Sequence, residues 1–399
     1  MAKYLIIGGG IIGLAIAREL KQQNASSEIT IIEKEPDVAY HSSGRNSGVL
    51  HAGFYYTSDS LKAKFTKDGN AAMRKYCYDN NLQIRESKKV VVTKNESELN
   101  PLFELEKRGL KNGVDVSLID TQELKDIEPN AKTFEKALYS PTTATVDPIE
   151  INKSIKNELI KNGVKIVFNE AYLEKINKNT IKTNNGNVYS ADKIINTAGL
   201  YADKIASDFG YSQDYTIIPF KGIYLKYTKL DKPVNINIYP VPNLKNPFLG
   251  VHYTITVDGT IKIGPTSIPA FWRENYKGLS NFRFNELFSV LGYESKLFLT
   301  NAFNFRDLAF EEIKKYNRVY FRNMAKDLVN NIDVNGFTKW SKPGIRAQLL
   351  NKKTLELVSD FVVEGDSNSV HVLNAVSPAF TSSFPFAKWI VDNYINIGE

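Results

Sequence analysis

The chain has 399 residues, of which 42% are hydrophobic, 24% charged and 12% aromatic. That composition is globular and excludes disordered and fibrous classes, and the length exceeds what one compact core sustains, so two domains are expected. Lys and Arg number 51 against 44 Asp and Glu, a net charge of +7, but the cations are scattered singly, without the patch and aromatic platforms of a nucleic-acid binder.

Residues 3–8 (KYLIIG) read as a buried strand. Residues 11–23 read as a helix with Ile12, Ala15, Ile16 and Leu20 on one face, and 28–33 (EITIIE) as a second strand. This βαβ unit implies a parallel sheet. Residues 40–60, rich in Ser, Gly, Asn, His and Tyr, read as a functional loop. A helix over 61–81 and a strand at 89–93 (KVVVT) follow. Pro148 opens a helix over 148–162. VKIVF (164–168) and KIINTAG (193–199) read as strands, with a hairpin turning at Asn184 to Gly186 between them.

After Pro219 the pattern turns antiparallel, through IYLKY (223–227), INIY (236–239), GVHYTI (250–255) and TIKIG (260–264). Residues 281–330 read as mostly helical. Strands return with FVVEG (361–365) and VHVLN (370–374), and a closing helix is expected from Phe380 to Ile395. No repeat or low-complexity linker interrupts the chain. Two discontinuous domains result, one from both termini and a middle segment (1–85, 145–215, 340–399), the other from the insertions (86–144, 216–339).

Gly8-x-Gly10-x-x-Gly13 sits at the first strand–helix junction, with Ile11 and Ile12 inside it. Gly8 permits the tight turn, Gly10 lets backbone approach a pyrophosphate, and Gly13 lets helix and strand pack closely. The helix N-terminus favours phosphate there. Glu33, 20 residues after Gly13, ends the second strand and offers a carboxylate to ribose hydroxyls. That acid argues against a 2′-phosphate and hence against NADP. The same motif defeats a signal-peptide reading of Lys3 and the apolar run after it, because cleavage would destroy it. That run, Tyr4 to Ala17, is 14 residues long, short of the ~20 of a spanning helix. A nicotinamide enzyme would continue with further parallel units after residue 33. Here the chain enters HSSGRNSGVLHAGFYY (41–56) instead.

That loop, with Glu33-Lys34 and the glycine motif, resembles the D-amino-acid-oxidase-like superfamily of flavoproteins, and within it the L-2-hydroxyglutarate oxidases and dehydrogenases. Matching segments run from end to end: NTAGLYADKIA (196–206), PFKGIYLKY (219–227), YPVPNLKNPFLGVHYT (239–254), DGTIKIGPTSIPAFWRENY (258–276), KPGIRAQL (342–349) and NAVSPAFTSSFPFA (374–387). The resemblance implies an α/β fold of glutathione-reductase type, with a Rossmann FAD-binding domain and an interleaved antiparallel-sheet substrate domain. It also implies non-covalent FAD, oxidation of a small 2-hydroxy acid to the 2-oxo acid, and electron transfer to oxygen or a quinone. An amino acid, a secondary amine or a sugar acid is the alternative substrate, and a flavin-binding protein without turnover the alternative class. The chain departs from the family pattern at Arg45, Lys221, Ile223, Ile255 and Trp272, positions expected near the substrate.

Oxidising a 2-hydroxy acid needs a cation for the carboxylate and a base for the hydroxyl proton. Arg346 is the expected carboxylate clamp, through its bidentate fork. Lys221 is a candidate point charge in place of a family arginine. His51 ranks first as base and His252 second. His371 alternates within a strand and reads as structural, and His41 is the position at which some relatives carry a covalent flavin. Tyr55, Tyr56, Tyr224 and Tyr253 offer hydroxyls. Ser42, Ser43, Arg45, Asn46 and Ser47, with Lys34 and Tyr172, are candidate cofactor contacts. Thr197, Ala198, Gly199 and Gly344 bring backbone close. Ser377, Pro378, Ala379, Phe380 and Thr381 read as a helix start whose N–H groups favour negative charge on a reduced flavin. No metal-ligand spacing is present. Cys77, the single cysteine, excludes an internal disulfide, reads as a buried apolar residue and points to a reducing, cytoplasmic setting. The basic surface leaves peripheral docking at the inner face of a membrane open.

Overall fold

The computed structural model of the chain describes residues 1–242 and 250–396, so the stretch 243–249 of one matching segment lies outside them. A six-stranded sheet runs in the order Val362–Gly365, Ser369–Asn374, Lys193–Asn196, Lys3–Ile7, Glu28–Ile32, Lys165–Val167. All neighbours are parallel except the Val362–Gly365 edge. In the central strand Tyr4 and Ile6 join one core, Leu5 and Ile7 the core of the opposite face. Side chains alternate across a sheet buried on both sides, so the strand is apolar throughout.

Helices Ile11–Gln23, Leu61–Asp79, Pro148–Lys161 and Ser383–Ile390 cover one face. Asp147 caps the third by accepting from the Ile149 amide at 2.8 Å, with Pro148 at its first position. Cys77 is buried in this helical layer, and burial pushes its thiol up to about 12. The other face carries the meander Tyr172–Asn177, Thr180–Thr183, Val188–Ser190 and the short helix Ala202–Asp208.

An eight-stranded sheet forms the second layer, in the order Phe337–Trp340, Leu225–Tyr227, Ile261–Gly264, His252–Ile255, Asn237–Pro240, Lys89–Val92, Lys136–Ser140, Ser117–Asp120. Its one parallel pair joins Asn237–Pro240 to Lys89–Val92. Helix Arg318–Lys326 packs Phe321 and Ala325 against it. Between the two sheets runs a third, of Ile268–Pro269, Tyr215–Gly222 and Gly344–Asn351.

Two elements differ from expectation. Residues 223–227 do not form one strand. It begins at Leu225, because the Ile223 amide donates to Thr266 Oγ1 at 3.0 Å. The closing α-helix starts at Ser383 rather than Phe380, and Val391–Ile395 widens into a π-turn. Pro385 sets the start, since its ring clashes with a helical carbonyl four residues earlier.

A buried ion pair ties the layers together. Arg273 Nη1 and Nη2 lie 2.5 and 2.7 Å from the Asp203 carboxylate, which also accepts from the Ile217 amide at 3.0 Å. Removing one partner strands a buried charge. Asp203→Ala is expected to cost ~3–5 kcal/mol, read from the urea midpoint; a loss under ~1 kcal/mol would mean the pair is no anchor.

Candidate active site

The first strand delivers Gly8 at φ +108°. A Cβ there would sit 2.7 Å from the Thr197 carbonyl oxygen, and one at Gly13 would sit 2.2 Å from that of Gly8. Glycine is the side chain this turn accepts, and the turn opens a cleft beyond the ends of the parallel strands. Glu33 directly follows the second strand and faces that cleft. Its carboxylate accepts from the Gly9 amide at 2.8 Å and the Glu35 amide at 3.0 Å. Burial pushes its pKa up. Ser43 reaches from the 40–60 loop to cap the glycine-rich helix, accepting from the Ile11 amide at 2.9 Å.

A cavity of about 530 Å³ follows. Gly8, Gly10, Glu33, Lys34, Ser42, Ser43, Tyr172, Thr197, Ala198 and Gly199 all line it. Gly13 does not; it serves packing. Tyr172 donates to Asp208 at 2.8 Å. Glu35, His41 and Glu274 converge within 4.8 Å. The Lys34 ammonium sits among them, 2.5 Å from Glu35 and 2.7 Å from Glu274, so the cluster is an internal ion-pair network. His41 engages both ring nitrogens, with Tyr276 at 2.7 Å and Glu35 at 2.9 Å. The His41 hydrogen bond holds Glu35 down to about 2.

A second cavity, of about 270 Å³, shares Gly10, Ser42, Ser43, Thr197 and Gly199 with the first. Through these shared residues the two form one continuous cleft. Ile11, Ile12, Arg45, Asn46, Ser47, His51, His252, Gly344, Arg346 and Ser377 to Thr381 all line this part. Arg45 is fixed at the wall, its guanidinium 4.3 Å over the Tyr276 ring and bonded to the Tyr40 and Pro343 carbonyls. Thr381 accepts from the His51 amide at 3.1 Å. The expected helix start at Ser377–Ser382 is therefore a turn that frames the cavity, with the helix dipole beginning one turn later.

Arg346 lies opposite Phe220 in strand register. Burial lowers its pKa, while Tyr224, Tyr56 and Glu312 oppose that shift. The His252 ring stacks on Tyr239 at 3.7 Å, and its Nδ1 lies 2.8 Å from the Gly250 carbonyl. A carbonyl only accepts, so Nδ1 carries the proton and Nε2 the lone pair. Burial pulls His252 down to about 3, and burial with Lys89 pulls His51 well below its usual value. Both imidazoles are neutral.

Two expected site residues turn away. Strand alternation sends Phe220 and Gly222 into the cavity and Lys221 to the other side, where its ammonium donates to Asn275 at 3.1 Å. Tyr253, next to His252, points into the antiparallel-sheet core against Phe337. The departures at Ile223, Ile255 and Trp272 also fall outside the cavity wall. Ile255 is core, and Trp272 donates to the Ser280 carbonyl at 3.0 Å. Of the tyrosines, Tyr224 lines the cavity and Tyr56 bonds Ser377 near Arg346, whereas the Tyr55 ring packs on Phe54.

Sequence reasoning missed three lysines. Lys89 is fully buried, its ammonium 4.3 Å from the Tyr239 ring centre and 5.2 Å from that of Tyr55, without a hydrogen-bond partner among the described residues. Lys262 lies 4.9 Å from the Tyr224 ring centre, and Lys62 interacts with Arg346 and Asp360. Burial pulls Lys62 and Lys89 to about 7 and Lys262 to about 8. A cation inside the apolar run KVVVT, and another in TIKIG, were the available signals.

Comparison with known proteins agrees with this geometry. The family model described as FAD dependent oxidoreductase matches residues 3–393. L-2-hydroxyglutarate dehydrogenase of Indibacter alkaliphilus is 36% identical over 96% of both chains, and that of Escherichia coli strain K12 is 31% identical over 98% of this chain and 92% of its own. The mitochondrial enzyme of Mus musculus is 33% identical over 97% of this chain and 87% of its own. Among solved structures, dithionite-reduced L-alpha-glycerophosphate oxidase of Mycoplasma pneumoniae with FAD bound superposes at a TM-score of 0.75, with 22% identity over 99% of this chain and 96% of that one. Glycine oxidase of Geobacillus kaustophilus follows at 0.72, with 15% identity over 98% and 94%. The chain thus has the fold of these flavoenzymes, its cofactor is FAD, and it belongs to the FAD-dependent oxidoreductase family.

Proposed function

We propose that the protein oxidises L-2-hydroxyglutarate to 2-oxoglutarate. One observation carries the reading: a half-buried arginine and two neutral imidazoles line a single cavity continuous with the dinucleotide cleft. The curated relatives that match the whole chain supply the identity of the acid.

Residues 1–85, 145–215 and 340–399 form the FAD-binding unit in this reading, and 86–144 with 216–339 the substrate unit. Glu33 and the glycine turn hold the nucleotide end, and Arg45 to Ser47 with Ser377 to Thr381 frame the ring end. Bound FAD supplies the two-electron acceptor for the hydrogen on the substrate Cα. Arg346 clamps the adjoining carboxylate with two parallel hydrogen bonds. The hydroxyl proton passes to His252 Nε2, whose lone pair the Gly250 carbonyl fixes by holding the proton on Nδ1. On this fixed tautomer we rank His252 ahead of His51, the reverse of the order expected from the sequence. Lys62, Lys89 and Lys262 give the cavity a positive potential that attracts a dicarboxylate. Dioxygen or a quinone is the final electron acceptor.

The test is the visible spectrum of the purified holoenzyme under nitrogen, before and after L-2-hydroxyglutarate. Bleaching of the flavin bands supports the reading. Bands that persist with this acid but bleach with an amino acid, amine or sugar acid overturn the substrate, and bands that no substrate bleaches overturn catalysis.

Arg346→Met is expected to raise KM at least about a hundredfold, and His252→Asn to lower kcat by about 10²–10⁴-fold with flavin content unchanged; steady-state kinetics with flavin absorbance reads both. An equal effect from His51→Asn alone would reverse the order of the histidines. The lysines are charged below pH 7, and their potential fades as pH rises through 7 and 8. KM should therefore climb about tenfold between pH 6 and 9; a flat profile would remove the lysines from substrate attraction.

A further inference from the structure

Five consecutive residues that belong to no helix or strand are buried. Trp272, Arg273, Glu274, Asn275 and Tyr276 lie between the exposed Phe271 and Lys277, and the most accessible of the five, Tyr276, is 9% exposed. Irregular segments normally run over the surface, and a buried polar side chain needs a partner. This segment leaves the short strand Ile268–Pro269 and leads to helix Phe284–Thr300.

Its backbone bonds turn inward. The Asn275 amide donates to the Trp272 carbonyl at 3.1 Å, and the Tyr276 amide to that of Glu274 at 2.7 Å. The grip on the rest of the molecule is made by side chains. Arg273 holds Asp203 on helix Ala202–Asp208, at 2.5 and 2.7 Å. Glu274 accepts from Lys34, just past the second strand, at 2.7 Å. Asn275 accepts from Lys221 on strand Tyr215–Gly222 at 3.1 Å. The Tyr276 hydroxyl pairs with His41 Nδ1 at 2.7 Å, and its ring carries the Arg45 guanidinium at 4.3 Å. Four successive side chains thus clasp four separate elements.

The clasp closes on one place. The residues lining the first cavity all lie between Ile7 and Asp208, except Glu274 and Arg283. Glu274 faces that cavity beside Glu33, Lys34 and Tyr201, at the end assigned above to the nucleotide. A wall of sheet backbone opens only when the sheet unfolds, whereas a segment held by side chains opens locally at lower cost. Gly278, at φ +49°, follows two residues later and gives the chain a place to bend.

We propose that Trp272–Tyr276 is a latch over the nucleotide half of bound FAD, and that the cofactor leaves only when this latch opens. Glu274 is its cofactor-facing side chain, Arg273 its anchor and Tyr276 its catch on the 40–60 loop. How long the protein keeps its flavin is then set by a segment far along the chain from the glycine turn.

The test is the rate of FAD loss from the holoenzyme without substrate, so the outcome is independent of which acid is oxidised. The holoenzyme is diluted into a phosphodiesterase that cleaves free FAD to AMP and the more fluorescent FMN, and the rise in fluorescence is followed. Glu274→Gln removes the charge paired with Lys34, and Tyr276→Phe removes only the hydroxyl on His41. Each should speed release, and the two together by more than about tenfold. Tyr76→Phe is the control. That ring packs in the helical layer, its hydroxyl 3.0 Å from Ser154 Oγ, and it lines neither cavity, so its release rate should stay native. An unchanged rate in the double variant overturns the proposal. So does an equal acceleration by Tyr76→Phe, which would mean that loss of any such hydrogen bond loosens the cofactor.

Discussion

Everything in the molecule hangs on a contact that a single methyl group would destroy. Gly13, Gly8 and Thr197 meet where a Cβ on Gly13 has only 2.2 Å to the nearest oxygen. That closeness lets the first helix lie flat on the central strand. It aims the helix N-terminus past the sheet's edge and leaves an open cleft rather than a filled core. Close contact then recurs along the cleft. A Cβ on Gly69 would sit 2.3 Å from the Thr381 carbonyl, so a helix backbone props up the turn that frames the ring end. One on Gly344 would lie 2.6 Å from the Arg45 carbonyl, so the strand bearing Arg346 presses against the 40–60 loop.

The electrostatic design follows from burial. A cavity lined by neutral imidazoles, with buried lysines behind its wall, is unusual, because charged groups removed from water shift toward their neutral forms. Here they shift in a useful direction. The histidines stay neutral, so each ring keeps a lone pair free of charge repulsion from the nearby cations. The lysines become responsive, since an arriving carboxylate supplies the counter-charge that burial denies them. The pair Lys315 and Glu312 stands beside the cavity already neutralised, with Lys315 and the Ser267 amide both on Glu312, and spends its charge on holding backbone in place.

How far the sequence discloses this varies with the kind of constraint. The βαβ unit, the glycine turn and Glu33 were legible because each needs a specific residue at a specific spacing. The cleft-lining residues of the 40–60 loop were legible through resemblance, which transfers position along the chain. Direction across a strand transferred poorly. Lys221 and Tyr253 both neighbour residues that line the cavity, and a period of two sends each the other way. The buried lysines were hidden because a cation in an apolar strand reads as an edge or an accident until the fold closes over it.

Cys77 has a bearing on durability. An enzyme that passes electrons to dioxygen makes hydrogen peroxide next to its own side chains, and the first casualty of peroxide is a thiolate. This chain holds one sulfhydryl, buried in the helical layer and pushed up to about 12, so at neutral pH scarcely any thiolate exists to be attacked. Were dioxygen the acceptor, the catalyst would carry almost no internal fuse for the peroxide released.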